Sequence, residues 1–281
     1  MTERKASRTA QGVAFLRAVH QMIDSAPLIL VDPVIVTLFG AAGQQRINDD
    51  SAALQTAGAR GLRAHVVLRS RFAEDRLAAA VQRGVTQYVI LGAGYDTFAY
   101  RQPDWARGIR VIEIDQPASQ AAKREHLDAA GIEVPANVTF ADVDFEHETL
   151  DDGLRRHGIS MAAPTFFSWL GVTMYLTEDA VDAVLRTVAA FPSTSEIVFT
   201  FAQPREARRP DQPPSLAELA ANVGEPWLSY FEPAYLDSKL RHSGFASVEF
   251  LTAVEAANRY FRDRADDLPP PRRTSIVSAI R

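Results

Sequence analysis

Val89 to Arg101 reads V-I-L-G-A-G-Y-D-T-F-A-Y-R, and Val111 to Asp115, a few residues on, reads V-I-E-I-D. A short run of strand-forming residues breaks at Gly92 and Gly94 into a tight turn, and a second run ends on two acids, Glu113 and Asp115. Open α/β sheets hold nucleosides in this way. Glycines after a first strand let a ligand approach the backbone, and a carboxylate closing the next strand accepts hydrogen bonds from both ribose hydroxyls.

L-G-A-G alone is as often a plain turn, so Asp115 carries the reading, because it lies close to the separation from the glycines that a nucleotide-binding βαβ unit needs. Thr97 stands where the third glycine of G-x-G-x-x-G would fall, and the chain has no lysine-bearing phosphate loop. Both departures argue for a nucleoside without phosphates.

Composition narrows the partners. With 281 residues, 47% of them hydrophobic, the chain can bury one large core, with or without an appended cap. A formal net charge of -5 argues against a nucleic-acid backbone as partner. The absence of cysteine removes disulfides, thiolate metal sites and a cysteine nucleophile, and no His–Asp constellation or other metal-ligating set is legible. M-T-E-R-K-A-S-R-T-A is too polar for a secretory signal, and the apolar run Ala26 to Phe39 is cut by Asp32-Pro33. The expectation is a cytoplasmic protein that does not enter a membrane.

From Gln87 onward strand-like and helix-like segments alternate, the pattern of a largely parallel sheet with helices on both faces. The expected strands are Tyr88 to Leu91, Arg110 to Ile114, Val138 to Ala141, Thr165 to Trp169, Glu196 to Phe201, Phe245 to Leu251 and Ser275 to Ile280. Pro117 suits the first turn of a helix that Gly131 stops, and Thr177 with Glu178 and Asp179 suits the cap of another. Upstream, Leu62, Val66, Phe72, Leu77 and Val81 recur at helical spacing. The expected organisation is one domain over 1–281: a helical cover (1–84), a donor-binding half (85–202), a lid or substrate region (203–243) and the last two strands (244–281). Gln203 to Pro233 is dense in proline and charge yet carries Trp227, Tyr230 and Phe231. Large aromatics are uncommon in solvated linkers, so these three are candidate acceptor contacts on a lid over the carboxyl ends of the strands.

Four separated blocks agree with one family in order and spacing: R-S-R-F-A-E-D-R-L through G-A-G-Y-D-T-F-A-Y-R, then E-I-D-Q-P-A-S-Q-A-A-K-R, then V-D-F-E, then P-T-F-F-S-W-L-G-V-T-M-Y-L-T. The chain resembles the leucine carboxyl methyltransferase family, above all its bacterial S-adenosylmethionine-dependent members, over nearly its whole length. The resemblance implies a seven-stranded, Rossmann-like class I methyltransferase sheet, mostly parallel with the last strand antiparallel, and S-adenosylmethionine as cofactor. It implies that Arg69 binds the donor's carboxylate and that Gly92, Ala93 and Gly94 form the turn beneath its methionine part. Asp115 would hold the ribose, and Asp144 with Phe145 would flank the adenine. By the residues alone, Arg69 could equally be part of a solvated basic helix face with Arg63, Arg71 and Arg76, and Asp144 could cap a turn.

One departure from the family is Leu170, where the fourth-strand block ordinarily has glutamate; a polar contact there is lost or rerouted. Methyl transfer from a sulfonium requires placement of the acceptor and exclusion of water. A carboxylate acceptor is already ionised at neutral pH and needs no base, which favours a carboxylate or an acidic hydroxyl on a small molecule. Tyr175 is the candidate to orient it, with a packed tyrosine as the competing reading. Two other functions use the same features: a nicotinamide-dependent oxidoreductase, disfavoured by the missing glycine, and a non-catalytic donor-binding module.

Overall fold

The computed structural model describes residues 7–145, 147–204 and 216–281. Four helices precede the sheet: α1 (Arg8–Ile23), α2 (Pro33–Asp49), the short α3 (Ser51–Leu54) and α4 (Ala57–Gln82). Their starts follow from capping. The side chains of Ser7, Asp32 and Thr56 accept from the backbone N–H three residues on, and Pro33 occupies the first turn of α2, where its missing N–H costs nothing.

The sheet then builds from β1 (Gln87–Leu91), β2 (Arg110–Asp115), α5 (Pro117–Ala129), β3 (Val138–Asp142), α6 (Leu150–Arg156), β4 (Thr165–Trp169), α7 (Glu178–Ala189) and β5 (Glu196–Thr200). After α8 (Leu216–Asn222) and α9 (Pro233–His242) come β6 (Ser247–Phe250), α10 (Ala253–Tyr260) and β7 (Ile276–Ile280). The strand order is β3-β2-β1-β4-β5-β7-β6, and β7 runs antiparallel to both of its neighbours. All seven expected strands form, and the antiparallel last strand is as the family resemblance implied.

The all-buried β1, β4 and β5 explain their uninterrupted apolar sequences, since helices cover both faces of the sheet. One face packs Leu150, Leu154, Val181, Leu185, Leu236 and Leu240 from α6, α7 and α9. The other packs Leu68, Phe72 and Leu77 from α4. A third cluster joins α1 and α2 to the sheet through Phe15, Val19 and Ile35 with Tyr95 and Leu127.

The expected lid divides into parts with different physics. Residues 205–215 of it lie outside the described residues. From Pro233 onward it is a core helix, because Leu236 and Leu240 are fully buried against the sheet. Phe231, expected to touch the acceptor, is 1% exposed, stacks on Tyr235, and its N–H donates to the Ala202 carbonyl at the end of β5. Its apolar ring gains more from the core than from a solvated rim, so its role is corrected to that of an anchor.

Candidate functional site

Where the parallel strands end, the register places Leu91 beside Ile114 and Asp115 beside Asp142, so the turns after β1, β2 and β4 converge on one edge. Gly92 and Gly94 both have positive φ, 66° and 46°, which side-chain-bearing residues rarely adopt. A Cβ on Gly92 would collide with Val172, and one on Gly94 would sit 3.5 Å from Ala10 of α1. The glycine turn therefore lies between the β4 turn and the first helix. Ala93 donates its N–H to the Ile114 carbonyl, locking this turn to β2.

Asp115 closes β2 with its carboxylate held by backbone: Gly94 N–H donates to Oδ2 at 2.5 Å and Gln116 N–H to Oδ1 at 2.7 Å. Burial raises its pKa, against the opposing pull of those two N–H groups. Each oxygen keeps a lone pair for a ribose hydroxyl. Glu113, the other acid of the pair, belongs to the interior: it is 1% exposed and bridges to Lys123 at 2.6 Å. Only Asp115 reaches the rim.

The arginines along α4 settle which of them is available. Arg60 pairs with Asp267, Arg63 with Asp24, Arg71 with Asp75, and Arg76 with Glu196 and Glu249. Among the described residues no carboxylate lies within ion-pair distance of Arg69, and its Nε–H is buried without a hydrogen-bond partner. Its guanidinium lies over Gly171, where a Cβ would sit 2.7 Å from Nη1. Burial, with the charge of Arg17, depresses its pKa to about 10. An unpaired buried cation at a sheet edge is a receptor for an anion.

Asp144 and Phe145 open the turn between β3 and α6. The Asp144 carboxylate faces His147 Nδ1 at 2.9 Å and its carbonyl accepts from the N–H groups of His147 and Glu148, so it does cap this turn. Phe145 packs against the core and borders a cavity of about 260 Å³ whose far wall is Ala180, Ala183 and Val184 of α7.

Tyr175 ends a single helical turn, Thr173–Tyr175, just after β4, and its charge bears on Arg69. Thr200 holds this turn: its Oγ1 accepts from Gly171 N–H at 2.7 Å and its carbonyl accepts from Thr173 Oγ1 at 2.7 Å. The segment before α9 is pinned on the same turn. Leu228 N–H donates to the Met174 carbonyl and Ser229 Oγ to the Thr173 carbonyl, at 2.6 and 2.9 Å. Trp227 therefore stands beside Tyr175's turn, with its Nε1–H buried and unpartnered, while Tyr230 is exposed. Leu170 packs with the core on the α4 side and makes no polar contact.

Sequence reasoning missed the frame that ties the helical cover to the site. Thr97, in place of a third glycine, is fully buried and donates to Asp32 Oδ2 at 2.7 Å, linking the glycine turn to the cap of α2. Arg17 of α1 donates to the Tyr95 carbonyl. Glu225 accepts from Ser7 Oγ and from Arg8 N–H, both at 3.0 Å, placing a carboxylate at the positive end of α1. The one signal was Arg17 itself, a charge inside an apolar helical stripe.

A family profile, leucine carboxyl methyltransferase, matches residues 10–189. The chain is 28% identical, over the full length of both proteins, to "Putative S-adenosyl-L-methionine-dependent methyltransferase YktD" of Bacillus subtilis (strain 168). It is 33% identical over 61% of its length to a protein of Mycobacterium sp. (strain JLS) with the same description, of which the match covers 59%. Among solved structures it resembles a "putative methyltransferase" from Thermobifida fusca YX, with a TM-score of 0.56, 17% identity and coverage of 99% of this chain and 95% of that one. A DUF574 family protein from Streptomyces avermitilis gives a TM-score of 0.54 at 14% identity, covering 98% and 97% of the two chains. These structures share the fold.

Proposed function

This chain belongs to the leucine carboxyl methyltransferase family, and from that premise we propose that it methylates an oxygen of a small-molecule acceptor, a carboxylate or an acidic hydroxyl. It is an S-adenosylmethionine-dependent methyltransferase on a class I sheet, which sets aside the nicotinamide reading. The residues fit such a donor: a glycine turn, a carboxylate with spare lone pairs at the end of β2, and an orphaned guanidinium near the end of β4. In this reading Arg69 holds the donor's carboxylate, Gly92, Ala93 and Gly94 underlie its methionine part, Asp115 accepts from the ribose, and Asp144 and Phe145 border the adenine. When bound, the donor supplies an electrophilic methyl group on a sulfonium.

The observation that carries the acceptor class is the set of groups around the Thr173–Tyr175 turn. Trp227 offers an unpartnered buried N–H there, Tyr175 a hydroxyl, and Arg69 a positive charge. Hydrogen-bond donors and a cation suit an anionic oxygen, which needs orientation and dehydration more than a base. Tyr175 and Trp227 orient the acceptor, and Tyr230 on the exposed rim covers it from solvent.

The test is turnover with isotopically labelled methyl donor on a panel of small carboxylic acids, phenols and amines. Transfer to acids, giving alkali-labile esters, or to acidic phenols, giving stable ethers, supports the reading. Transfer to amines alone refutes it. Tight donor binding with no transfer across the panel would favour the non-catalytic module.

A further inference from the structure

Arg17 occupies a helical face that is otherwise apolar. Ala14, Phe15, Ala18 and Val19 surround it on α1 and are all buried, and the arginine side chain itself is only 6% exposed. Burying a guanidinium is costly unless its N–H groups are satisfied. Among the described residues, its one hydrogen bond goes from Nη2 to the Tyr95 carbonyl. The nearest carboxylates stand off: Asp32 is 3.7 Å from Nε and Asp96 is 4.0 Å from Nη1, both beyond hydrogen-bond length. Its Nε–H is buried and unpartnered, as is that of Arg69.

The two arginines reach one place from opposite sides. Arg17 is fixed to Tyr95, the residue after Gly94, while Arg69 lies on Gly171, and the two turns touch where Val172 lies against Gly92. Two like charges brought together in the interior repel, an arrangement that an intervening anion relieves. A carboxylate has about four lone-pair sites and can serve two guanidinium groups at once.

We propose that Arg17 is a specificity-determining residue for the donor's amino-acid head, receiving the carboxylate jointly with Arg69. This rests on the donor lying across the glycine turn. Its consequence is that α1 forms part of the binding site and does more than cover it.

S-adenosylhomocysteine, which carries the amino-acid head, and 5′-methylthioadenosine, which lacks it, separate this role from a bracing one. In calorimetric titrations Arg17→Met is expected to weaken S-adenosylhomocysteine at least ~tenfold and 5′-methylthioadenosine less than ~twofold. Equal weakening of both ligands would show Arg17 to be a brace holding α1 on the turn and would overturn the proposal, as would unchanged affinity for both. Arg17→Lys keeps the charge but not the fork and is expected to show the same discrimination at about threefold; it decides the matter if the methionine variant does not fold. If the unaltered protein binds neither ligand, the donor site itself is misplaced, a result distinguishable from a failure of Arg17 alone.

Discussion

Asp115→Asn and Asp115→Ala separate the two tasks that the structure gives this side chain. Its oxygens accept from Gly94 N–H and Gln116 N–H, and their remaining lone pairs are assigned to the ribose. Losing a charged acceptor for the ribose hydroxyls costs about 1.5–3 kcal/mol, so S-adenosylhomocysteine should bind roughly ten- to a hundred-fold more weakly in either variant. 5′-Methylthioadenosine, which keeps the ribose, should lose as much. The alanine variant also strands both N–H donors, at about 1–3 kcal/mol each, partly offset by removal of a buried charge. A net loss of about 2 kcal/mol lowers the thermal midpoint by roughly 4–8 °C. The asparagine keeps one oxygen and should lose about half of that. Titration calorimetry and thermal unfolding give the two numbers. A fall in midpoint with affinity for both ligands within twofold of the unaltered protein would refute the ribose role and leave Asp115 a turn cap. The sign with pH follows from burial, which raises this pKa above its ordinary value of 3.8. The folded chain then binds the proton more tightly than the unfolded one. The charge's cost to the fold is therefore relieved as pH falls through the raised value, and donor affinity declines over the same range.

Arg69→Met should raise the thermal midpoint of the ligand-free protein while weakening S-adenosylhomocysteine more than ~tenfold, because the variant removes a buried cation whose pKa is depressed to about 10; a lowered midpoint would mean that the guanidinium is paired. Gly171→Ala would put a Cβ 2.7 Å from Arg69 Nη1 at a φ of +78°, so donor affinity should fall, whereas Gly158→Ala, strained at +63° but with open space around it, should cost only stability; equal donor affinity in both variants, measured by titration, would detach Arg69 from the site. Trp227→Ala should raise the acceptor's KM with donor binding unchanged, while Phe231→Ala should cost about 3–5 kcal/mol of stability and leave the KM of the surviving fold near normal; steady-state kinetics showing the reverse would exchange the two roles.

The sheet was legible because its signals are local. β1, β2, β4 and β5 are continuous apolar runs ending on glycine, acid or turn residues, and buried parallel strands require such runs. Phe245 to Leu251 was read slightly long, because Phe245 and Leu251 are buried while only Ser247–Phe250 pairs in the sheet. The donor edge was legible for the same reason, with Gly92, Gly94 and Asp115 all within one βαβ unit. Arg69 could be named but not distinguished from Arg63, Arg71 and Arg76, since only the fold shows that those three have carboxylate partners and Arg69 lacks one. Contacts closed over long separations left no trace. Glu225 meets Ser7 across 218 residues and Arg17 meets Tyr95 across 78. Phe231 was misread because an aromatic in a polar segment looks the same in sequence whether it lines a pocket or plugs the core.

The account stands most directly on where the donor lies, and a crystal structure with S-adenosylhomocysteine bound measures that. The ribose hydroxyls should be found on Asp115, the sulfur over Gly92 to Gly94, and the carboxylate on the Arg69 guanidinium. Density for the ligand away from the carboxyl edge of β1, β2 and β4, or with its carboxylate remote from Arg69, would contradict it.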